Sequence, residues 1–544
     1  MNLETLLADR LAVAFHAVAG VPVDLAVRVS QHADFQSGAA LAVARQAGRP
    51  PREIAAEVAA GADLAGLATV EVSGPGFLNL TVADELLATA IDGLDERLGV
   101  APVTAPERVV IDYSGPNAAK EMQIGHLRST VIGDALARML GWLGHDVVRV
   151  NHLGDWGTQF GMLIEHLVET GGDENTLGDL TDFYRAARVR FDGDGAFRTR
   201  ARQRVVALQS GDALTRSLWH RLVELSERDF LAAYARLGIA LGPGDFVGES
   251  FYQDRLGGVL AELGEKGLLV ESEGALCVFP AGFTGRDGEP LPLIVRKSDG
   301  GFGYAATDLA ALRHRVREVG ADRLLYVVGT PQSAHFAMAF AVARQAGWLP
   351  DGVTAEHIGF GSILGSDGRM LRTRGGENVR LADLLDEAEG RASSPAVGIG
   401  AIKYADLSSD RRSDYVFDWD RMLASTGNTG PYLQYAYARI RSVFGRARAE
   451  PGPVLITEPE ERRLALALLG FEPAVTAAAA EREPHRLASY LHGLAVAFSG
   501  FYENCPILRS AGATRASRLT LADRTARTLA LGLSLLGIDL PDVM

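Results

Sequence analysis

The stretch that decides the fold is RVVIDYSGPNAAKEMQIGHLRSTVIGD, residues 108–134. It begins with the apolar run of a buried strand, turns through small residues, and continues with apolar residues at helical spacing. Gly144 is placed to end that helix at about residue 143. The following residues, HDVVRVNHLGD (145–155), have the pattern of a second strand. This strand–helix–strand unit predicts the start of a parallel, doubly wound sheet.

Working outward from this unit, the pattern divides the chain into an α/β core and flanking parts. We predict a Rossmann-type parallel-sheet core over 106–390, with an insertion at about 175–290 that starts with charged helices and ends in short strands. A small N-terminal α/β domain precedes it, at 1–105, and ends in the linker-like run APVTAPE. A connecting segment (391–420) leads to an all-α C-terminal domain (421–544).

Composition excludes several classes of protein. The 544 residues have ordinary globular usage, which excludes a disordered or fibrous chain. The two cysteines, Cys277 and Cys505, are too few and too far apart for a disulfide framework or a cysteine-based zinc site, so we expect no structural metal. The sequence lacks the long apolar run of a membrane span and a basic leader. We expect a cytoplasmic protein with no membrane partner.

The net charge of −14 argues against a nucleic-acid partner, because phosphate binding needs basic surface. The charge is uneven, however. The segment 431–450 carries four arginines against one acid, Glu450. A solvated helix face is the commoner meaning of such a run. Both interpretations stay open on composition alone.

The turn before the predicted helix has the features of a phosphate site. Helix N-termini offer unpaired N–H groups and partial positive charge. Gly125 would allow a ligand to approach the backbone closely, and Lys120 and His126 could donate to phosphate oxygens. The alternative is a plain strand–helix junction that happens to contain a histidine and a lysine.

Gln123-Ile124-Gly125-His126 resembles the H-I-G-H motif of class I aminoacyl-tRNA synthetases. The surrounding DYSGPNAAKEM and GHLRSTVIGD, followed in order by NHLGDWGTQFG (151–161), resemble the arginyl-tRNA synthetases in particular. The resemblance spans nearly the whole chain. It implies ATP-dependent activation of L-arginine to arginyl-adenylate and transfer to the 3′ end of tRNA(Arg). It also implies ATP with Mg²⁺ as co-substrate, a catalytic core between two tRNA-binding domains, and a monomer.

Two departures from the family pattern concern the phosphate contacts. Gln123 replaces the first histidine of the motif and cannot carry charge. The second class signature, K-M-S-K-S, corresponds here to Gly368–Arg374, in which arginines replace lysines and flanking glycines suit a mobile loop. The resemblance implies that Lys120 compensates for the missing second lysine. The implied catalytic set is Lys120, Gln123, Gly125, His126, Arg369 and Arg372.

A substrate guanidinium needs carboxylates in a fork arrangement. The spacing of Tyr304 and Asp308 predicts that both lie on one face of a helix. The resemblance implies that they line the guanidinium pocket with Asp112, whereas the commoner role of an aspartate is an N-cap or a surface ion pair. The implied arginine-binding set is Asp112, Asn117, His152, Tyr304, Asp308 and Gln332. The implied ATP-binding set is Ser114, Gly125, His126, Asp155, Gly157 and Met370.

The resemblance also implies tRNA contacts at both ends of the chain. TGNTGPYLQYAYARIRSVFGRA (426–447) resembles the start of the family's anticodon-binding domain, and GPGFLN (74–79) its appended N-terminal domain. Aromatic rings and arginines can read unpaired bases. Helical spacing also points some of the tyrosines of this helix inward, towards a packed core. The candidates are Phe77, Asn79, Tyr432, Tyr435, Arg439 and Arg441.

Two alternatives remain open at the level of sequence. One is a specialised paralogue, either an antibiotic-insensitive duplicate or an arginyl-adenylate enzyme of a biosynthetic pathway, which Gln123 motivates. The other is a catalytically inactive tRNA-binding protein. The preserved pocket set argues against the second alternative.

Overall fold

The structure is a computed structural model that describes residues 2–20, 24–171, 180–285, 287–372, 379–447 and 449–541. Part of the predicted second signature, Thr373 to Gly376, lies outside the described residues, as does Arg448. The chain forms two compact units. Unit 1 comprises Met1–Pro102, Ser425–Ser534 and Leu540–Met544, and unit 2 comprises Val103–Ala424 and Leu535–Asp539.

The N-terminal part of unit 1 is a small α/β layer. Its elements are α1 (Leu3–Ala19), β1 (Arg28–Val29), β2 (Phe35–Ser37), α2 (Ala39–Ala47), α3 (Pro51–Gly61), β3 (Ala68–Ser73), β4 (Phe77–Val82) and α4 (Asp84–Asp92). The strands form an antiparallel sheet in the order β1-β2-β4-β3. Gly76 in the β3–β4 turn has φ +139°, and a Cβ there would lie 2.8 Å from the carbonyl carbon of Pro51, so the close approach of turn and helix requires glycine.

Unit 2 contains the α/β core and its insertion. Its elements are β5 (Arg108–Asp112), α5 (Leu127–Leu143), β6 (Asp146–Val150), α6 (Thr158–Thr170), α7 (Leu180–Gly193), α8 (Gly195–Ser210), α9 (Ala213–Leu237), α10 (Leu256–Glu265), β7 (Val270–Ser272), β8 (Ala275–Val278), β9 (Leu293–Arg296), α11 (Tyr304–Arg317), β10 (Arg323–Tyr326), α12 (Ser333–Gln345), β11 (Thr354–His357), β12 (Ile363–Leu364), α13 (Leu381–Arg391), α14 (Pro395–Leu407), β13 (Tyr415–Val416) and α15 (Trp419–Met422).

The central sheet of unit 2 is parallel, in the order β11-β10-β5-β6. Strands β5 and β10 lie side by side, although more than 200 residues separate them, and Asp112 pairs with Tyr326 in register. The chain therefore leaves β5 towards β6 on one side and returns on the other, which creates the switch point where open α/β sheets bind ligands. This confirms the predicted parallel-sheet core.

Helix α5 packs tightly behind this switch point. It is buried on nearly all sides, and the buried residues include the polar side chains of Arg128, Ser129 and Asp134. A Cβ on Gly133 would lie 2.3 Å from the side chain of Tyr113, so glycine lets the end of β5 lie directly on the helix. A 3-10 turn, Ile124–His126, precedes α5. Gly144, with φ 103°, ends the helix at the predicted position.

The insertion contributes helices and a separate sheet to unit 2. Helices α7, α8 and α9 pack beside α6 around a core that includes Phe160, Phe197 and Trp219. Strands β7, β8 and β9 form a small antiparallel sheet in chain order.

The C-terminal end of the chain is helical: α16 (Gly430–Arg446), α17 (Pro459–Leu469), α18 (Phe471–Ala480), α19 (Pro484–Asn504) and α20 (Gly512–Leu535). This confirms the predicted helical C-terminal domain. Within unit 1 these helices pack on the N-terminal layer, where Arg462 of α17 donates to both carboxylate oxygens of Asp34 at 2.7 Å and to Asp84 at 2.9 Å.

By length and composition alone, one stretch (459–480) would be able to cross a membrane. Glu461 in this stretch is buried, and its carboxylate accepts from Arg518 at 2.7 Å. Burial of a charged side chain beside its partner on α20 is typical of a helix in a protein core.

Candidate active site

A polar cavity of about 440 Å³ lies at the carboxyl ends of β5 and β10. Residues after β5 and β6, the start of α11, and the turn before α12 surround it. The lining residues are Asp112, Tyr113, Ser114, Gly115, Asn117, Gly125, His126, Ser129, His152, Gly154, Glu249, Tyr304, Asp308, Val327, Val328, Gly329, Gln332, His335, Phe336 and Phe360. This is the position at which the parallel sheet predicts a ligand site.

The cavity brings together most of the residues that the sequence singled out in unit 2. Those that line it are Asp112, Ser114, Asn117, Gly125, His126, His152, Tyr304, Asp308 and Gln332. Seven others are not among its lining residues: Lys120, Gln123, Asp155, Gly157, Arg369, Met370 and Arg372.

His126 lines the cavity at the 3-10 turn that precedes α5. Nδ1 of His126 lies 3.0 Å from the backbone nitrogen of Gln123 and 3.2 Å from its carbonyl oxygen; in the tautomer with the ring proton on Nε2, Nδ1 accepts from that backbone N–H. Burial lowers the pKa of His126, with Lys120 acting in the same direction. The neutral ring can therefore donate through Nε2 to a ligand oxygen.

The other phosphate candidates lie near this turn or on the second loop. Lys120 extends over the ring of Tyr184 on α7, 4.4 Å from its centroid, a cation–π contact with the insertion. The second loop is a tight turn closed by two backbone hydrogen bonds, one donated by the N–H of Gly368 and one accepted by the carbonyl of Arg369. Met370 on this loop is largely exposed. The positive φ of Gly368 (71°) permits that turn.

Asn117 and Gly154 form one side of the cavity through a close contact. Their backbones pair, and a Cβ on Gly154 would lie 2.1 Å from Oδ1 of Asn117. Nearby, Ser114 has φ 74°, and its hydroxyl shares hydrogen bonds with Tyr234 and Thr130. These contacts fix the segment after β5 that carries the small-residue turn.

Asp112 is engaged by an arginine of the protein itself. Nη2 of Arg315 on α11 lies 2.7 Å from Oδ2 of Asp112, and the guanidinium is almost completely buried. It also lies over the ring of Tyr326, 5.1 Å from its centroid. The carboxylate of Asp112 holds the pKa of Arg315 well above its usual value. The first acid of the predicted pocket therefore already has a guanidinium partner.

Asp308 and Glu249 are the other two carboxylates at the cavity. Nε2 of His335 lies 2.6 Å from Oδ2 of Asp308, and this contact raises the pKa of His335. Burial, with the charges of Asp155 and Asp308, raises the pKa of Glu249 to about 8. Three acids around one small cavity suit a cationic ligand.

Sequence reasoning missed three of these residues: Glu249, Arg315 and His335. Glu249 lies in the insertion, in a segment without a recognised motif. Asp155 holds this segment in place, because its carboxylate accepts from the backbone N–H of Ser250 at 2.8 Å and from its hydroxyl at 2.6 Å. His335 lies three residues after the predicted Gln332, so proximity to that position was the available signal.

The predicted tRNA-contacting residues lie in unit 1. Phe77 borders a shallow surface cavity, and Oδ1 of Asn79 accepts from Gln36 at 2.7 Å. On α16, Arg439 lies over the ring of Tyr435, which is largely exposed. Tyr432, in contrast, packs inward and contacts Ser499 at 3.2 Å. Arg441 is exposed.

Metal-binding potential is limited in the described part of the chain. In the ranges given above, no group of three or more His, Cys, Asp or Glu side chains could hold an ion.

Three family models match successive parts of the chain. The model "tRNA synthetases class I (R), catalytic domain" matches residues 94–395, "DALR anticodon binding domain" matches 433–544, and "Arginyl tRNA synthetase N terminal domain" matches 1–82.

Whole proteins of known name are also similar over the full length. The arginine–tRNA ligase of Thermobifida fusca is 51% identical over 99% of both chains. That of Frankia casuarinae is 50% identical over 96% of this chain and 95% of its own. The solved arginyl-tRNA synthetase of Plasmodium falciparum superposes with a TM-score of 0.85 at 27% identity, over 100% of this chain and 99% of that one. The Thermus thermophilus enzyme gives 0.81 at 26% identity, over 100% of both. Together with the cavity at the switch point and the matching motifs, these similarities show that the chain belongs to the arginyl-tRNA synthetase family of class I.

Proposed function

We propose that this protein is an arginine–tRNA ligase, which activates L-arginine with ATP and transfers it to tRNA(Arg). The observation that carries the proposal is the cavity in which Asp308 and Glu249 face the turn of Gly125 and His126. Asp308 and Glu249 supply negative charge for a guanidinium. Gly125 and His126 lie at a helix start that can bind phosphate. Relatives named arginine–tRNA ligase match over the whole chain and support it further.

In this account the guanidinium lies between Asp308 and Glu249, with the ring of Tyr304 at the rim. Asp112 takes a different part from the one expected from its position. Because Arg315 occupies it, Asp112 holds the floor of the pocket rather than the substrate side chain. Asn117, His152 and Gln332 hold the amino and carboxylate ends of arginine.

Activation needs no side-chain nucleophile, because the carboxylate of arginine itself attacks the α-phosphate and pyrophosphate leaves. The protein positions the two reactants in line and neutralises the charge that develops. His126 donates through Nε2, and Lys120, Arg369 and Arg372 supply positive charge. Gln123 contributes hydrogen bonds without charge. ATP enters with Mg²⁺ as its counter-ion and lies along Ser114, Gly125, Asp155, Gly157 and Met370.

Transfer then moves arginine from the adenylate to the terminal ribose of tRNA. Unit 1 binds the tRNA through aromatic and cationic side chains on its surface, so the overall charge of −14 does not prevent RNA binding. The proposed contacts are Phe77, Asn79, Tyr435, Arg439 and Arg441, whereas Tyr432 packs inward and is left out of this set. We also propose that the enzyme works as a monomer in the cytoplasm.

The pocket would select arginine over lysine without a proofreading step. A lysine ammonium is compact and cannot bridge two carboxylates as a planar guanidinium does. A buried acid left without its partner costs about 1–3 kcal/mol or more.

The test is ATP–pyrophosphate exchange, with and without tRNA(Arg). We expect exchange that requires arginine and, as in the family, also requires tRNA. Failure of arginine to support exchange when tRNA is present would overturn the proposal.

A further inference from the structure

The three carboxylates at the cavity differ in how they are neutralised when the pocket holds no arginine. Asp112 is paired with Arg315, whose guanidinium is buried and always charged. Asp308 is paired with His335, a group that can lose its proton. None of the described residues forms an ion pair with Glu249, and burial disfavours its carboxylate form. Asp308 therefore has a partner that can lose its proton, and Glu249 has a proton of its own that can leave.

His335 and a substrate guanidinium would meet at the same carboxylate. Nε2 of His335 lies 2.6 Å from Oδ2 of Asp308, and both side chains line the cavity. The side chains of Asp308 and His335 keep 20% and 30% of their surface exposed, so solvent can deliver and remove protons there. A second cation at Asp308 would repel a protonated imidazole.

We propose that His335 is a positioning residue that shares Asp308 with the guanidinium of arginine, and that arginine binding releases protons from the pocket. His335 in its neutral form keeps one N–H on Oδ2 and orients the carboxylate, while the other oxygen receives the guanidinium. Glu249 takes part by giving up its proton to become the second carboxylate of the fork. This inference rests on the proposed function, since it concerns the same arginine site.

The charges around the site agree with a release of protons when arginine binds. His335 faces Asp308, which lies on α11, and this contact raises the pKa of His335. Glu249 faces Asp308 and Asp155, and its pKa of about 8 means that it is protonated at neutral pH in the free site. His152, between Asp112 and Asp155, has a pKa lowered by burial and stays neutral. An incoming guanidinium lowers the pKa of both His335 and Glu249, because it stabilises carboxylates and opposes imidazolium.

The sign of the pH dependence follows from linkage. Both groups bind protons more strongly without arginine than with it, so arginine binding must tighten as the pH rises towards about 8. Each proton that is released strengthens arginine binding by up to about tenfold for each pH unit of increase. A pocket of fixed charge would show no such slope.

The experiment is calorimetric titration of arginine into the full-length protein with tRNA(Arg) present and ATP absent. Two buffers of equal pH and different ionisation enthalpy give the number of protons released. We expect about one proton per arginine at pH 7, and at least a tenfold fall in Kd from pH 6 to pH 8. H335Q keeps a donor near Nε2 but cannot titrate, so its proton release and pH slope should both be smaller.

The matched control is H145Q, at the opposite end of the sheet beside Glu107. It should release as many protons as the unchanged protein. Arginine binding without net proton release, or equal release by H335Q and the unchanged protein, would overturn the inference while leaving the proposed function intact. A protein that neither binds arginine nor charges tRNA would instead refute the proposed function.

Discussion

Nη2 of Arg315 lies 2.7 Å from Oδ2 of Asp112, so the two side chains form a buried ion pair at the cavity. The protein thus places one of its own guanidinium groups on the acid that ends the central strand. This removes Asp112 from the set of free carboxylates and leaves Asp308 and Glu249 for the substrate. Under the proposed function, specificity for arginine depends on α11 and the insertion together, rather than on the end of β5.

The first prediction concerns this buried pair. Arg315→Met should destabilise the protein by about 3–5 kcal/mol, because it leaves the Asp112 charge buried without a partner. The double variant D112N/R315M should recover much of that loss, since it removes both charges. All five tryptophans lie in unit 2, so urea denaturation followed by tryptophan fluorescence reports the relevant unit. Equal stability of R315M and the unchanged protein would contradict a paired Asp112.

The second prediction concerns the carboxylate of Asp308. Asp308→Asn should raise the KM for arginine by about 10- to 100-fold, because a charge-assisted hydrogen bond contributes about 1.5–3 kcal/mol. The KM for ATP should change little. Asp351→Asn, in an exposed turn, is the matched control and should leave both constants unchanged. An unaltered arginine KM in D308N would remove Asp308 from the pocket.

The third prediction separates folding from catalysis at Gly125. A Cβ at this position would meet nothing within 4 Å in the protein, so Gly125→Ala should not lower the melting temperature. It would project where ATP must approach the backbone, so the KM for ATP should rise severalfold. Thermal melting and initial rates test the two halves. Gly133→Ala, where a Cβ would overlap Tyr113, should instead reduce stability.

The fourth prediction concerns the departure from the family motif. Gln123→His should raise the rate of ATP–pyrophosphate exchange severalfold, because a histidine can add positive charge near the phosphates. The contact from Gln123 to His126 uses the backbone N–H, so the substitution keeps it. An unchanged exchange rate would mean that glutamine already supplies the full contact.

The sequence predicted the parallel core because the strand and helix patterns of 108–155 are local and strong. Through the resemblance to the arginyl-tRNA synthetases it also predicted nine of the residues that line the cavity, and these residues follow strands or helix starts whose ends meet at one edge of the sheet. Arg315 could not be predicted, because its pairing with Asp112 joins positions about 200 residues apart and depends on α11 packing beneath β5 and β10. Glu249 was missed for the same reason, since Asp155 and Ser250 hold its segment at the site only in the folded chain.

The central claim is that the pocket recognises arginine and that the protein joins it to tRNA. The most direct measurement is formation of aminoacyl-tRNA from purified protein, ATP, Mg²⁺ and tRNA(Arg), with labelled arginine or labelled lysine as the amino acid. We predict that arginine is esterified to the tRNA and that lysine is not, and that D308N needs far more arginine for the same rate. No arginyl-tRNA under these conditions, or equal charging with lysine, would contradict the account.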